Sequence, residues 1–292
     1  MRLLSRSSLL ALAAGALVAV PATAQQRTLT YYGDFDPAPL AAFQTAIAEF
    51  EKANPDIDVV FQNFDHEGYK TAIRNFLTAD PPDIANWYAG NRMAPFVNGG
   101  QFMDVSDVWA EHGLAESLAS ALPSMTLDGK QWGVPYTYYH WGIYFNRTLY
   151  DQVGAEVPST WDEFIANCAK FKEAGIDCVT TGTKALWPAA GIFDYLDLRT
   201  NGYDFHMALT NGEVPWTDDR VKATFTEWAK LVEPGYVVAN HAAVDWQDAA
   251  ALLVQGKAAN FVIGNFAVPY FKDGGMTDET LGFMPFPTIT PD

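Results

Sequence analysis

The sequence predicts an α/β fold built as two units, and three observations carry that prediction. Short strand-like runs alternate with helical patterns in the order β-α-β-α-β over residues 29–91. The alternation resumes after residue 141, and 292 residues exceed what one hydrophobic core ordinarily spans.

Leu29–Tyr32 reads as the first strand. From Pro39 the run LAAFQTAIAEFEKANP repeats Phe43, Ile47 and Phe50 at helical spacing until Asn54-Pro55 stops it. Asp58–Gln62 is a second strand and His66–Thr78 a second helix, after which DPPDIANWYAG turns through its prolines into a third, short strand. Such an order implies an open sheet with right-handed crossovers, whose sites lie at the carboxyl ends of the strands. The first strand runs into Tyr32-Gly33-Asp34-Phe35-Asp36 and the third into Trp87-Tyr88-Ala89-Gly90-Asn91, so rings and carboxylates gather at those ends.

Val134–Asn146, VPYTYYHWGIYFN, carries six aromatic side chains in thirteen residues and reads as a strand after the turn-like LDGKQWG. Alternation places Tyr139, Trp141, Ile143 and Phe145 on one face and Tyr138, His140, Gly142 and Tyr144 on the other. One buried face cannot absorb every ring, so some are expected to face something other than core. A helix follows over Thr160–Glu173, capped by Ser159 or Thr160 with Glu163 in capping-box position. Cys178–Thr181 is a strand, followed by GTKALWPAAG and a helical region over Gly191–Arg199. Asp218–Val232 and Asp248–Gln255 are helices, and the strand Ala258–Ile263 ends in Gly264-Asn265-Phe266. With no repeat and no low-complexity linker, the two units are expected to be joined by crossing strands.

The N-terminus has its own logic. Arg2 and Arg6 precede the apolar run LLALAAGALVAV, and a proline leads to Ala22-Thr23-Ala24 before Gln25. That is the form of a secretory signal peptide over residues 1–24, cleaved after Ala24; with Gln25 rather than cysteine next, no lipid anchor is signalled. Removing it leaves 16 basic against 35 acidic residues, a net charge of −19 on 268 residues. Such a surface is repelled by phosphate backbones and anionic membranes, which argues against nucleic acid as a partner. In an exported chain Cys168 and Cys178 are a disulfide candidate, worth about 2.5–3 kcal/mol on the chain-entropy account, with two buried thiols as the alternative.

The five histidines stand far apart, so no metal site is expected, and no nucleotide-binding loop or nucleophile elbow follows a strand, so no cofactor is implied. Asp34, Asp36, Asp65 and Asp83 could be a glycosidase acid/base pair, hydrogen-bonding groups for a ligand, or loop and cap residues. Nine tryptophans and thirteen tyrosines suit carbohydrate, whose flat C–H faces pack on rings while hydroxyls pair with polar side chains. Trp161, Trp228 and Phe225 sit on helical patterns and are assigned to core, whereas Trp87, Trp187 and Trp246 lie at strand or loop ends beside polar residues and are site candidates.

FEKANPDIDVVF, ADPPDIANWYAG, DGKQWGVP with IYFNRTLYDQVG, VPSTWDEF and VQGKAANFVIGNF occur in this order. Through them the sequence resembles family 1 of the extracellular solute-binding proteins, the sugar-binding components of ABC importers to which maltose-binding protein belongs. FDYLDLRTNGYDFH and GYVVANHAAVDWQDA resemble a subgroup that imports sugars or glycosides. The resemblance implies a monomeric periplasmic binding protein of two α/β lobes around a cleft, with hinge crossings, the first near Tyr139–Gly142. Residues 25–139 and 265–292 would form the first lobe and 140–264 the second. It further implies that the protein is not an enzyme, binds a mono- or oligosaccharide and delivers it to an ABC permease of the inner membrane. The alternatives are a secreted glycoside hydrolase and a binding module for chemoreception or adhesion. By motif, Tyr139 falls at a ligand position, Trp187 matches a cleft aromatic, and Phe266 stands where the family often has a stacking tryptophan. Tyr32, Asp34, Trp87, Tyr88, Trp246 and Asn265 complete the expected ligand-binding set. Relatives continue beyond the PFPTITP segment, so the chain, which stops at Asp292, reads as truncated.

Overall fold

The computed structural model describes residues 26–289; the expected signal peptide and its cleavage point lie outside them. The chain divides into two compact units between Asn86 and Trp87.

In the first unit, strand β1 (Arg27–Gly33) is central to a three-stranded sheet of order β2-β1-β3, with β2 (Ile57–Asn63) and β3 (Ile84–Ala85) both parallel to it. Helices α1 (Pro37–Ala53) and α2 (His66–Ala79) make the crossovers. Period-2 alternation sends neighbouring rings of β1 to different partners. Tyr31 meets Phe35, Phe43 and Phe61, while Tyr32 meets Phe64 and Phe76 edge-on at 5.3 and 5.2 Å. Helix α2 starts where the Asp65 carboxylate accepts from the backbone N–H groups of Glu67 and Gly68.

The second unit opens with four short helices, α3 (Ala94–Asn98), α4 (Ser106–Glu111), α5 (Leu114–Ser117) and α6 (Leu122–Met125), and a hairpin of β4 (Thr126–Leu127) and β5 (Lys130–Gln131) turned by Asp128-Gly129. Strand β6 (Trp141–Asn146) then leads through α7 (Arg147–Val153) to α8 (Trp161–Glu173). After β7 (Asp177–Thr180) come α9 (Trp187–Asn201), α10 (Tyr203–Thr210), α11 (Asp219–Val232) and α12 (Trp246–Val254). Strand β8 (Ala258–Gly264), α13 (Val268–Asp273) and β9 (Leu281–Met284) follow. The sheet order is β7-β8-β6-β9, with β7 parallel to β8 and the other pairs antiparallel.

Both faces of this sheet are covered. Ile143 and Phe145 of β6 enter a core with Trp161, Phe164 and Phe171 of α8 and Leu196 of α9; Tyr144 enters another with Leu253 of α12 and Phe271 of α13. Tyr144 and Phe145 of β6 are therefore absorbed by two cores and Trp141 is half-buried against both, while the most exposed rings lie before the strand: Tyr138 is 84% and Tyr139 45% exposed. The strand expected over Val134–Asn146 begins only at Trp141, where pairing with Gly264 starts; upstream, Pro135 has no N–H to give a ladder.

Thr160 caps α8 in a full capping box with Glu163. The Cys168 and Cys178 sulfurs are joined, tying α8 to β7 within the core. Helix α9 starts four residues earlier than its apolar pattern suggests, because Pro188 in the first turn needs no N–H partner. Helix α10 follows it after Gly202, where the sequence reading had no helix. Phe225 departs from its core assignment: it is 48% exposed and stacks on Trp228, since only the arc of α11 through Val221, Thr224 and Leu231 is buried. Among the described residues no helix is long and apolar enough to cross a membrane.

Candidate functional site

The second unit gathers rings at one end of its sheet. Trp141 opens β6 opposite Gly264, the last residue of β8, which runs antiparallel to β6 and parallel to β7. The loop after β7 leads to Trp187 at the head of α9, and the turn after β8 holds Asn265 and Phe266. The carboxyl ends of β7 and β8 thus converge on one aromatic cluster, the position an α/β sheet offers for a ligand.

Its contacts are edge-to-face. Phe266 meets Tyr139 at 5.2 Å, Trp246 at 5.4 Å, Trp187 at 6.0 Å and Trp141 at 6.1 Å. Trp187 meets Trp141 at 5.9 Å and Trp246 at 6.4 Å. Each such pair adds about 0.5–1.5 kcal/mol beyond the area it buries, so the rings fix one another's orientation. Trp246 is 8% exposed and forms the inner wall, while Tyr139 is the most open ring. Asn265 is anchored by its backbone N–H, which donates to the His140 carbonyl at 3.0 Å.

Glycines set the spacing. A Cβ on Gly191 of α9 would lie 2.4 Å from Trp141 Cζ3, and one on Gly264 would lie 2.3 Å from Phe266 Cε1 and 3.0 Å from Trp141 Nε1. The Trp141 indole occupies the slot these two residues leave. Trp141 was not among the expected ligand residues, although strand alternation put it on the same face as Tyr139; its place at the very start of β6, opposite a glycine, was the available signal.

The loop carrying Trp187 is held along its length. Thr183 N–H donates to the His241 carbonyl at 2.7 Å and Lys184 N–H to the Val244 carbonyl at 3.3 Å. Lys184 Nζ reaches Asp245 at 2.8 Å, a contact that raises the lysine pKa. Trp187 and Trp246 are thereby positioned by two strapped segments.

Trp87 and Tyr88 form another group with Arg92. Their rings meet at 5.3 Å, the Arg92 guanidinium lies 3.9 Å over Tyr88 and 5.3 Å over Trp87, and Trp87 Nε1 donates to the Arg92 carbonyl at 2.8 Å. Arg92 escaped the sequence reading because a lone arginine in a loop carries no pattern; its cation–π partners come from turn geometry.

In the first unit, Asp34 follows β1 and contacts His66 Nδ1 at 2.9 Å, and Asn86 Nδ2 donates to its other oxygen at 3.4 Å. Tyr31 hydroxyl donates to Asn86 Oδ1 at 2.8 Å, and burial with the nearby Asp34 charge pushes Tyr31 up to about 12. Tyr32 instead packs inward on Phe64 and Phe76. The other carboxylates have local duties: Asp65 caps α2, and Asp83 accepts from both the backbone and the hydroxyl of Thr30 at 2.8 Å, which lowers its pKa. Among the described residues no cluster of His, Cys, Asp and Glu could hold a metal ion.

With this geometry established, the pattern of the bacterial extracellular solute-binding proteins matches residues 36–292, and the chain belongs to that family. An uncharacterized ABC transporter extracellular-binding protein of Pyrococcus horikoshii is 28% identical over 255 residues, which are 84% of this chain and 57% of that protein. A probable sugar-binding periplasmic protein of Mesorhizobium japonicum is 27% identical over 72% of this chain and 51% of its own length. The chain thus spans between about half and three-fifths of these curated relatives. The solved structure of the bacterial solute receptor AcbH, described with an exclusive preference for β-D-galactopyranose, has a TM-score of 0.81 at 32% identity, covering 91% of this chain and 67% of that one. A structure from work on xylan utilization by Caldanaerobius polysaccharolyticus has a TM-score of 0.82 at 26% identity, covering 90% and 68%. The α/β fold is that of a periplasmic solute-binding protein.

Proposed function

We propose that the chain is part of a periplasmic binding protein that captures a carbohydrate between two lobes and hands it to an ABC permease, acting as a monomer and without turnover. The observation that carries this is the ring cluster of Tyr139, Trp141, Trp187, Trp246 and Phe266 at the carboxyl ends of β7 and β8. Rings locked edge-on leave faces and rims for the C–H surfaces of a sugar, and Asn265 stands beside them to meet hydroxyls.

Asp34, Trp87 and Tyr88 are proposed to serve the other side of the ligand, in a cleft between two lobes. Ligand contact with both lobes is what would favour the closed form, since only differential binding shifts such a balance. Asp65, which caps α2, and Asp83, which accepts from Thr30, have local duties that fit structural carboxylates better than a glycosidase pair. Export through the N-terminal leader, without a lipid anchor, completes the reading.

The test is intrinsic tryptophan fluorescence titrated with mono- and oligosaccharides, galactose and xylose first in view of the relatives. A saturable change is expected, and Trp187→Ala should weaken it about tenfold, the loss of roughly 1.4 kcal/mol of ring contact. Unchanged affinity in that variant would remove Trp187 from the site, and release of product from an aryl glycoside would overturn the non-enzymatic reading.

A further inference from the structure

Leu186 immediately precedes Trp187 and has φ +66° and ψ −34°. The Trp187 N–H donates to the Ala185 carbonyl at 2.8 Å, closing a three-residue turn around it. Among the described residues the other non-glycine with positive φ is Asp128, in the Asp-Gly hairpin turn where that conformation is the rule. With ψ −34° Leu186 lies outside the left-handed region that Asn and Asp visit and near the rare, strained γ-turn, where a side chain of any L-residue is disfavoured. Leu186 is also 74% exposed. Nor is the segment a frayed end: Leu186 N–H donates to the Thr183 carbonyl at 2.9 Å, and Thr183 and Lys184 are strapped to residues 241–245. A strained backbone and an exposed apolar side chain are thus held in place beside the ring cluster, a combination found where strain serves a site.

We propose that Leu186 is a ligand contact that selects glycosides bearing an apolar aglycone next to the pyranose. This rests on the reading of the ring cluster as a sugar site. A leucine neither donates nor accepts, so a hydroxyl pressed against it is desolvated without a partner, whereas a C–H or aryl group gains from the shared burial. Trp187 takes the sugar and Leu186 the group attached to it.

The test compares Leu186→Gly, which relaxes the positive φ, and Leu186→Asn, which replaces the apolar side chain by a polar one of similar size, in calorimetric titrations with free galactose and xylose and with their phenyl glycosides. The parent chain is expected to bind the phenyl glycoside of its sugar about tenfold more tightly than the free sugar, from the area the aryl group shares with leucine. Both variants should lose that preference, keep their affinity for the free sugar and melt no lower than the parent. An aryl preference absent from the parent, or undiminished in the variants, overturns the assignment while leaving the sugar site standing. If no sugar binds in either form, the sugar-site reading fails and this inference falls with it.

Discussion

Gly191→Ala separates local helix propensity from the packing of the ring cluster. Gly191 sits inside α9, where alanine is favoured over glycine by about 1 kcal/mol. The new methyl, however, would stand 2.4 Å from Trp141 Cζ3 and 2.7 Å from Cη2. Ordinary carbon contacts lie near 3.5–4.0 Å, so the indole must withdraw by roughly 1 Å. Its retreat is restricted: the Trp141 backbone pairs with Gly264 and its carbonyl accepts from the Tyr195 hydroxyl, while Phe266 stands at 6.1 Å. Overpacking of this kind costs about 1–3 kcal/mol. The net expectation is a loss of about 0–2 kcal/mol, so Tm should not rise and should fall by up to roughly 8 °C. Because Trp187 leans edge-on against Trp141, sugar affinity should fall by about three- to tenfold as well. Thermal melting by circular dichroism and the fluorescence titration read the two effects, and Ala190→Gly, at an exposed position of the same helix, measures propensity alone. A higher Tm with unchanged affinity would refute the reasoning, because it would mean that the indole is not held against α9.

Other consequences can be measured directly. Replacing Cys168 and Cys178 together by alanine opens a loop with a sequence separation of 10, which should remove about 2.5–3 kcal/mol and lower Tm by roughly 5–10 °C; an unchanged melt in the absence of reductant would contradict it. Thr160→Ala deprives the Glu163 N–H of its acceptor and should destabilise by about 0.5–2 kcal/mol in urea, with no change in m; no shift in midpoint would show that Glu163 alone holds the cap. Hydrogen bonds from Ser106 and Lys130 hold Asp104 at about 2, and those from Arg220 hold Asp218 at about 2, below the usual 3.8. Their contribution is complete above the unfolded value and is lost as pH falls through the folded one, so stability should drop between about pH 4 and pH 2. Burial raises Tyr31 and Tyr144 to about 12, so the unfolded chain ionises first in base and stability should fall between about pH 10 and pH 12; a flat profile there would count against their burial.

Much of the architecture was legible because it rests on local rules. The first unit matches residue patterning almost throughout: Asn54 ends α1, Asp65 caps α2, and β1 to β3 fall where β-branched and aromatic runs meet turn residues. The capping box at Thr160 and Glu163 was readable for the same reason. What depended on distant partners was not. The start of β6 is set by its register with β8, more than a hundred residues away, and the exposure of Phe225 by how little of α11 is covered. The candidate rings divide likewise. Trp187 and Phe266 were visible as aromatics beside turn residues, whereas the central place of Trp141 and the inward packing of Tyr32 required knowing which strand each faced.

The slot between Gly191 and Gly264 constrains the history of the protein as much as its shape. While Trp141 fills it, any side chain at either glycine collides with a ring, so neither position can change first. If Trp141 shrinks, a hole opens that Ala at 191 can then fill, while 264 stays barred by Phe266; once 191 is filled, it bars the indole from returning. Descent through this site should therefore run as a ratchet, in which the order of substitutions, and not only their sum, decides which ring clusters can be reached.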